Sequence, residues 1–411
     1  MRFAALFWPA LLLAQDTARL DPNQLVEEAL RRNPEVVAAQ KRLEAARQKP
    51  AQERSLPDPM VSAGWNSSGN PLPFAGVGRE PVANAGLMAA QEVPYPGKLR
   101  LRSEIAVKEA SAEAQQYRAA QLGVASKVKQ AFYRLQHAWV MLGIIDHNRE
   151  LLRSLLRITE ARYSVGKAAQ SDVFKAQTQL TLIETRQVQF ERERDARIAE
   201  LNALLNRPPS SPMPPTPEPH IPHLNFKLEE LLARVEDAAP MLARDQKMVE
   251  RADVALSLAR KSYYPDFTFN GGYYYMGAMP PMYMFRADMN VPIRLTRRRA
   301  EVAERSAEVS QAKRTYEATA QSLHYRVREE FGIAEAAEKL VFLYRDTVLP
   351  QARFAIQSSL SAYETGATDF LAVLMNHMAV IEYEMSYHEQ MQEYHLALVR
   401  LEEMTGVELP Q

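Results

Sequence analysis

The sequence predicts a mainly α chain with a β component: long coiled-coil helical hairpins plus four β-strands. Three observations predict it. Between Leu99 and Asn206 there is no proline, and glycine occurs only at Gly123, Gly143 and Gly166. Along this run Val128, Phe132, Leu135, Trp139 and Leu142 recur at steps of four and three. Val173, Ala176, Leu180 and Ile183 continue that heptad spacing after Gly166. Short stretches elsewhere alternate apolar and polar residues, and the whole plan occurs twice.

The chain opens with Arg2, an apolar run from Phe3 to Leu13, and Ala14 before Gln15. This is the pattern of a secretory signal peptide over residues 1–14. The run is too short to span a bilayer, which takes about 20 residues, and no later segment is long and apolar enough. A mature chain of this kind sits in a membrane only as a β-barrel. The first repeat is expected over residues 15–206. Asp21-Pro22 opens a helix that stops before Pro34, and a second runs from Pro34 to about Arg54. A strand pair occupies about 58–93. In MVSAGWNS, Val61, Ala63 and Trp65 share one face, with Ser62, Gly64 and Asn66 on the other. A Gly/Pro/Asn-rich loop follows, roughly Ser68 to Asn84, and then a second strand, about Ala85 to Val93. The long helical run then turns at YSVGKAAQSDV, a tip at about 163–173.

Residues 207–223 are proline-dense and read as an extended linker rather than a packed element. The plan then repeats over residues 224–411. Pro240 matches Pro34, Pro265 matches Pro57, Pro292 matches Pro94, Phe331 matches Phe132, Tyr363 matches Tyr163 and Gly366 matches Gly166. The offset drifts by one or two residues elsewhere and jumps, by ten, only between the two strands, where loops absorb length. The second strand pair lies at about 265–293. Phe267, Phe269, Tyr273 and Tyr275 share one face; Tyr283, Phe285, Ala287, Met289 and Val291 share another apolar face. Thr268, Asn270, Gly272, Arg286, Asp288 and Asn290 alternate with them. Val61, Trp65, Phe267, Phe269, Tyr273, Tyr283 and Phe285 are the expected lipid-facing residues. A run like the first follows Arg294 and turns at YETGATDF, a tip at about 363–370.

Four strands cannot close a barrel. Two chains give eight, whose interior fills with side chains; three chains give twelve and leave a lumen. The helix from Leu99 to the tip is about 64 residues, roughly 96 Å, longer than a bilayer is thick. A trimer of paired helices below a barrel makes a tunnel of that length.

The motifs RYSVGKAAQSDVFKAQTQL and LNALLNRP in the first half, and AYETGATDFLAVL and LVRLEEMTG in the second, resemble the TolC family of outer-membrane efflux proteins. The resemblance covers essentially the whole mature chain. It implies a homotrimer: a 12-stranded outer-membrane β-barrel on an α-helical periplasmic barrel. It implies location in the cell outer membrane, extending into the periplasm. It implies a periplasmic adaptor (membrane fusion) protein and an inner-membrane efflux pump as partners. In the family the second tip carries Asp, apolar, Leu, Asp as an acidic gate. Here the pattern is Asp369, Phe370, Leu371, Ala372, so a gate at Asp369 is implied and a doubled ring is not. Three such carboxylates at a constriction favour cations; capping of the helix by Asp369, as by Asp172 in the first tip, is compatible with that role. Gly166 and Gly366 are expected to close the turns, and Tyr163 and Tyr363 to pack the helix ends. Gly166, Lys167, Gln170, Ser171, Asp172, Gly366 and Thr368 form the expected adaptor-docking tips. GATDFLAVL and YHLALVRLEEMTG are similar to the branch that works with heavy-metal exporters, which implies metal cations as cargo.

Composition excludes other classes. Lysine and arginine total 50 against 50 acidic residues, leaving no electrostatic footprint for nucleic acid. Cysteine is absent, so disulfides, thiolate metal sites, a cysteine nucleophile and a lipobox anchor are excluded. His388 and His395 are seven apart rather than the four of a zinc-protease helix. His220 and His223 sit in the linker. Met276, Met279, Met282 and Met284 gather around the expected second outer loop, and thioethers suit Cu(I). No phosphate loop or Ser/His/Asp arrangement stands out, so neither catalysis nor a cofactor is expected. The competing reading is a periplasmic coiled-coil adaptor or scaffold with no channel; the duplicated aromatic strand pairs favour the conduit.

Overall fold

The computed structural model describes residues 20–67, 71–407 and 409; the expected signal peptide lies outside them. The chain is mostly helical. Its elements run α1 (Pro22–Arg32), α2 (Pro34–Arg54), β1 (Met60–Asn66), β2 (Asn84–Val93), α3 (Lys98–Ser164) and α4 (Gln170–Leu204). Then come α5 (Leu228–Ala238), α6 (Pro240–Lys261), β3 (Phe267–Met276), β4 (Met279–Met289), α7 (Leu295–Leu343), α8 (Leu349–Thr365) and α9 (Phe370–Thr405). The helices start where proline and caps allow. Asp21 Oδ1 accepts from Asn23 N at 3.0 Å ahead of Pro22, and Asn33 Oδ1 accepts from Glu35 N at 2.8 Å ahead of α2. The second repeat reproduces the helix pair: 11 and 21 residues in α1 and α2, 11 and 22 in α5 and α6.

Compact units cut across these repeats. One unit takes residues 1–37, 120–238 and 324–411, of which the described part is meant; the other takes 38–119 and 239–323. The first unit is built on heptad packing. Met141, Ile145, Leu152 and Leu155 of α3, Ala176 and Ile183 of α4, and Phe370, Val373, Leu374 and Ile381 of α9 form one buried cluster. Higher in that unit Lys129 and Glu402 pair at 2.7 Å with both side chains about 10% exposed, and the other Glu402 oxygen accepts from Leu409 N.

The second unit holds the sheet. It is antiparallel with order β1-β2-β3-β4. Trp65 faces Ala85, Leu87 faces Tyr273, and Tyr273 faces Tyr283. Lys98 anchors the base of the sheet by pairing with Asp266 at 2.8 Å, and Asp266 Oδ1 also accepts from Tyr95 N at 2.8 Å.

Four expectations need correction. The second outer loop is only a two-residue turn, Gly277-Ala278 with Gly277 at φ 69°. Met276 therefore ends β3, and Met279, Met282 and Met284 lie within β4. The strand also stops at Met289, before Asn290 and Val291. The run after Arg294 is interrupted by a π-helical turn over Tyr344–Val348, two residues before Pro350. Proline has no N–H and crowds the carbonyl four residues back, so the ladder widens there. Finally, the proline segment is extended but held against its unit. Gln136 Nε2 donates to Pro217 O at 2.9 Å, Tyr394 Oη to Pro222 O at 2.6 Å, and Asn202 Nδ2 to Ser211 O at 2.8 Å.

Candidate functional site: the hairpin tips and the sheet

Both tips close with the same hydrogen bonds. In the first, Gly166 N donates to Tyr163 O (2.9 Å) and Lys167 N to Arg162 O (2.8 Å); in the second, Gly366 N donates to Tyr363 O (3.0 Å) and Ala367 N to Ala362 O (2.8 Å). This is the Schellman arrangement, which demands a left-handed residue at the glycine. Gly166 has φ 71° and Gly366 φ 82°. Around Gly166 a β-carbon would meet nothing within 4 Å, so backbone conformation alone selects glycine there.

The next helix begins differently in each tip. Asp369 is the cap of α9, its Oδ1 accepting from Ala372 N at 2.9 Å. The equivalent position in the first tip is Ala169, which offers no side-chain cap. Asp172 is not a cap: it sits in the first turn of α4, 3.5 Å from Lys175 Nζ. The two tyrosines also diverge. Tyr363 is buried and meets Phe370 edge-on at 6.1 Å between centroids, whereas Tyr163 is 46% exposed and does not pack the helix end.

Arg162 was not legible as a site residue. Its guanidinium lies 4.3 Å from the centre of the Tyr363 ring. Its Nη1 donates to Tyr363 O and, at 3.4 Å, to Glu364 O. One side chain thus clasps the first tip to the second. The available signal was an asymmetry of the repeat, since Ala362 stands in the matching place. Gly166, Lys167, Gln170, Ser171, Gly366 and Asp369 are exposed, Asp172 and Thr368 half-buried. Val165, Phe174, Leu371 and Met375 add exposed apolar surface at the tips. Phe174 carried a signal, being an aromatic one residue off the Val173–Ala176–Leu180 stripe.

On the sheet, Val61, Trp65, Phe269, Tyr273, Tyr283 and Phe285 are all exposed, Phe285 at 86%; Phe267 is half-buried. The registers place these seven on one face, since opposite residues of an antiparallel pair share a side. Ser62, Asn66, Thr268, Asn270, Arg286 and Asp288 share the other.

Burial pushes His137, His388 and His395 down to about 4, with His137 adding its repulsion at His388. His395 stacks on Tyr133 at 4.3 Å. His223 pairs with Glu338 at 3.3 Å and stacks on Phe342. Among the described residues no group of three His, Cys, Asp or Glu is placed to hold a metal. In a polar groove of about 880 Å³ in the second unit, Arg244 pairs with Asp245 and Arg305 with Glu308, and Thr319 Oγ1 donates to Asp245. No helix among the described residues is long and apolar enough to cross a membrane.

A family model described as outer membrane efflux protein matches residues 25–207 and 231–407. The chain belongs to the outer membrane efflux protein family. Solved structures share the fold of this efflux-family chain. The VceC outer membrane protein of Vibrio cholerae matches with a TM-score of 0.79 at 18% identity, covering 94% of this chain and 96% of that one. The MtrE outer membrane channel of Neisseria gonorrhoeae gives 0.73 at 18%, covering 94% and 88%. CusC, in a study of folding and transmembrane channel formation, gives 0.79 at 16%, covering 98% of each chain. No curated protein matches the sequence.

Proposed function

We propose that this efflux-family protein is the outer-membrane exit duct of a tripartite system. As a homotrimer it passes substrates, with heavy-metal cations as the class implied by the resemblance, from the periplasm to the outside. An inner-membrane pump and a periplasmic adaptor deliver them. The observation that carries this reading is the open sheet. β1 and β4 are edges, with one backbone side each unpaired, and one face presents exposed aromatics. In lipid every backbone polar group must be satisfied within the protein. Three copies joined β4 to β1 satisfy all of them, turn the aromatic face to lipid and the Arg286–Asp288 face to a lumen. A periplasmic scaffold leaves both edges and the aromatic face without a purpose.

The tips are the periplasmic end. The exposed residues around Gly166, Lys167, Gln170, Ser171, Asp172, Gly366 and Thr368 dock the adaptor, and three copies of Asp369 form the gate. The reading is tested by fractionation on a sucrose gradient and by electrophoresis with and without heating. Co-sedimentation with outer membrane and a trimer that heating dissociates support it; a soluble monomer contradicts it.

A further inference from the structure

The loop between β1 and β2 contains a turn that its own stability does not explain. Ala75 N donates to Leu72 O at 3.2 Å, closing a four-residue turn with Pro73 second and Phe74 third. Phe74 has φ 62°. Proline followed by a positive φ is the type II pattern, whose third place suits glycine or asparagine. A bulky aromatic side chain there is strained. Burial within the chain does not offset that strain, since Leu72 and Phe74 are each 65% exposed. The loop is nevertheless fixed over the sheet. Gly78, at φ 87°, lies against the β3–β4 turn, so closely that a β-carbon on Gly277 would come within 2.4 Å of Gly78 Cα. Phe74 stacks on Trp65, with 6.3 Å between ring centroids and 30° between planes. Trp65 belongs to the apolar face and stands in one register row with Ala85 and Tyr275. Tyr275 is exposed as well. The strained turn therefore sets Phe74 on the apolar side of the rim, continuing that row beyond the end of β1 at Asn66.

We propose that the turn Leu72–Ala75 is a lipid anchor: Leu72 and Phe74 insert among the acyl chains of the outer leaflet, just below the headgroups. Lipid supplies the burial that the chain withholds, because apolar surface leaves water there as it does in a core. Aromatic side chains gather at this level in membrane barrels, where a ring sits between hydrocarbon and water. A cover over the mouth of the duct would carry its apolar residues on the polar side of the sheet, away from Trp65. The anchor rests on the exit-duct reading, which places the apolar face in lipid.

The test is tryptophan quenching in phosphatidylcholine vesicles whose acyl chains carry bromine, either near the headgroups or near the chain ends. The purified full chain is reconstituted in both. Tryptophan occurs only at Trp8, in the expected signal peptide, Trp65 and Trp139. Trp139 lies roughly 60 Å along α3 from Lys98, out of reach of the bilayer, so Trp65→Phe gives the unquenched baseline. Trp65→Phe combined with Phe74→Trp keeps an aromatic pair and moves the reporter onto the turn. In brominated vesicles it should lose most of its emission above that baseline, and more with bromine near the headgroups. Leu72→Trp in the Trp65→Phe background reads the same turn from outside the strained position, and should be quenched likewise. Wild type reports on the sheet through Trp65. Quenching of wild type but of neither turn reporter overturns the anchor and leaves the duct standing. An unquenched wild type contradicts the duct reading instead.

Discussion

Asp369 holds two roles that a single substitution confounds. It caps α9 through Ala372 N, and in the proposed trimer it would set charge at the periplasmic aperture as a ring of three. Asparagine caps as well as aspartate, so Asp369→Asn removes charge and keeps the cap. The gate predicts reduced cation preference in both Asp369→Asn and Asp369→Ala channels, read from reversal potentials across a salt gradient. A pure cap predicts that only Asp369→Ala has an effect, at about 1 kcal/mol of stability. Arg162 is the complementary residue. Arg162→Ala loses charged hydrogen bonds to two carbonyls and its stacking on Tyr363. Partial exposure screens the loss to about 1 kcal/mol. The two tips should part more readily, raising mean single-channel conductance; an unchanged conductance would separate the clasp from the gate. Arg162 escaped the sequence because its partners are backbone carbonyls 201 and 202 residues away, which no local pattern records.

Elements were more legible than residues. Heptad spacing and a proline-free run placed α3 and α4 to within a few residues, because burial of one stripe is a local, periodic demand. Turn glycines marked both tips for an equally local reason. The π turn at Tyr344–Val348 and the two-residue hairpin turn were misread, since both depend on how a strain is relaxed rather than on composition. The proline linker was misread in a different way: its order comes from Gln136 and Tyr394, distant in sequence. His395 of α9 lies among the same residues and gives the unit a pH dependence. His137, His388 and His395 have folded values near 4 against about 6.5 when unfolded. The unfolded chain therefore takes up protons first as pH falls. Stability is full above about 6.5 and is lost progressively down to about 4, at about 2 kcal/mol per ring by pH 5. Thermal midpoints measured from pH 7.5 to 4.5 should fall across that window, and His395→Gln should flatten the slope. A midpoint independent of pH would contradict this burial.

At the scale of the whole molecule, duplication explains why one chain supplies two helix pairs, two strand pairs and two unlike tips. The second copy has Asp369 where the first has Ala169, and the first has Arg162 where the second has Ala362. The ground for proposing a trimer, four strands with two open edges, was legible from strand number alone.

Closure of the sheet by three copies is the central claim, and the chain's lack of cysteine makes it directly measurable. β1 and β4 are at opposite edges, three strand spacings apart, or roughly 14 Å. A disulfide needs Cα atoms closer than about 7 Å, so a β1–β4 bond can form only between copies. Ala63→Cys is combined in turn with Tyr283→Cys, Phe285→Cys and Ala287→Cys, and outer-membrane fractions are oxidised. The account predicts that at least one pair yields a covalent trimer that survives boiling and collapses on reduction. Monomer alone from all three pairs, or ladders running beyond three, would contradict it.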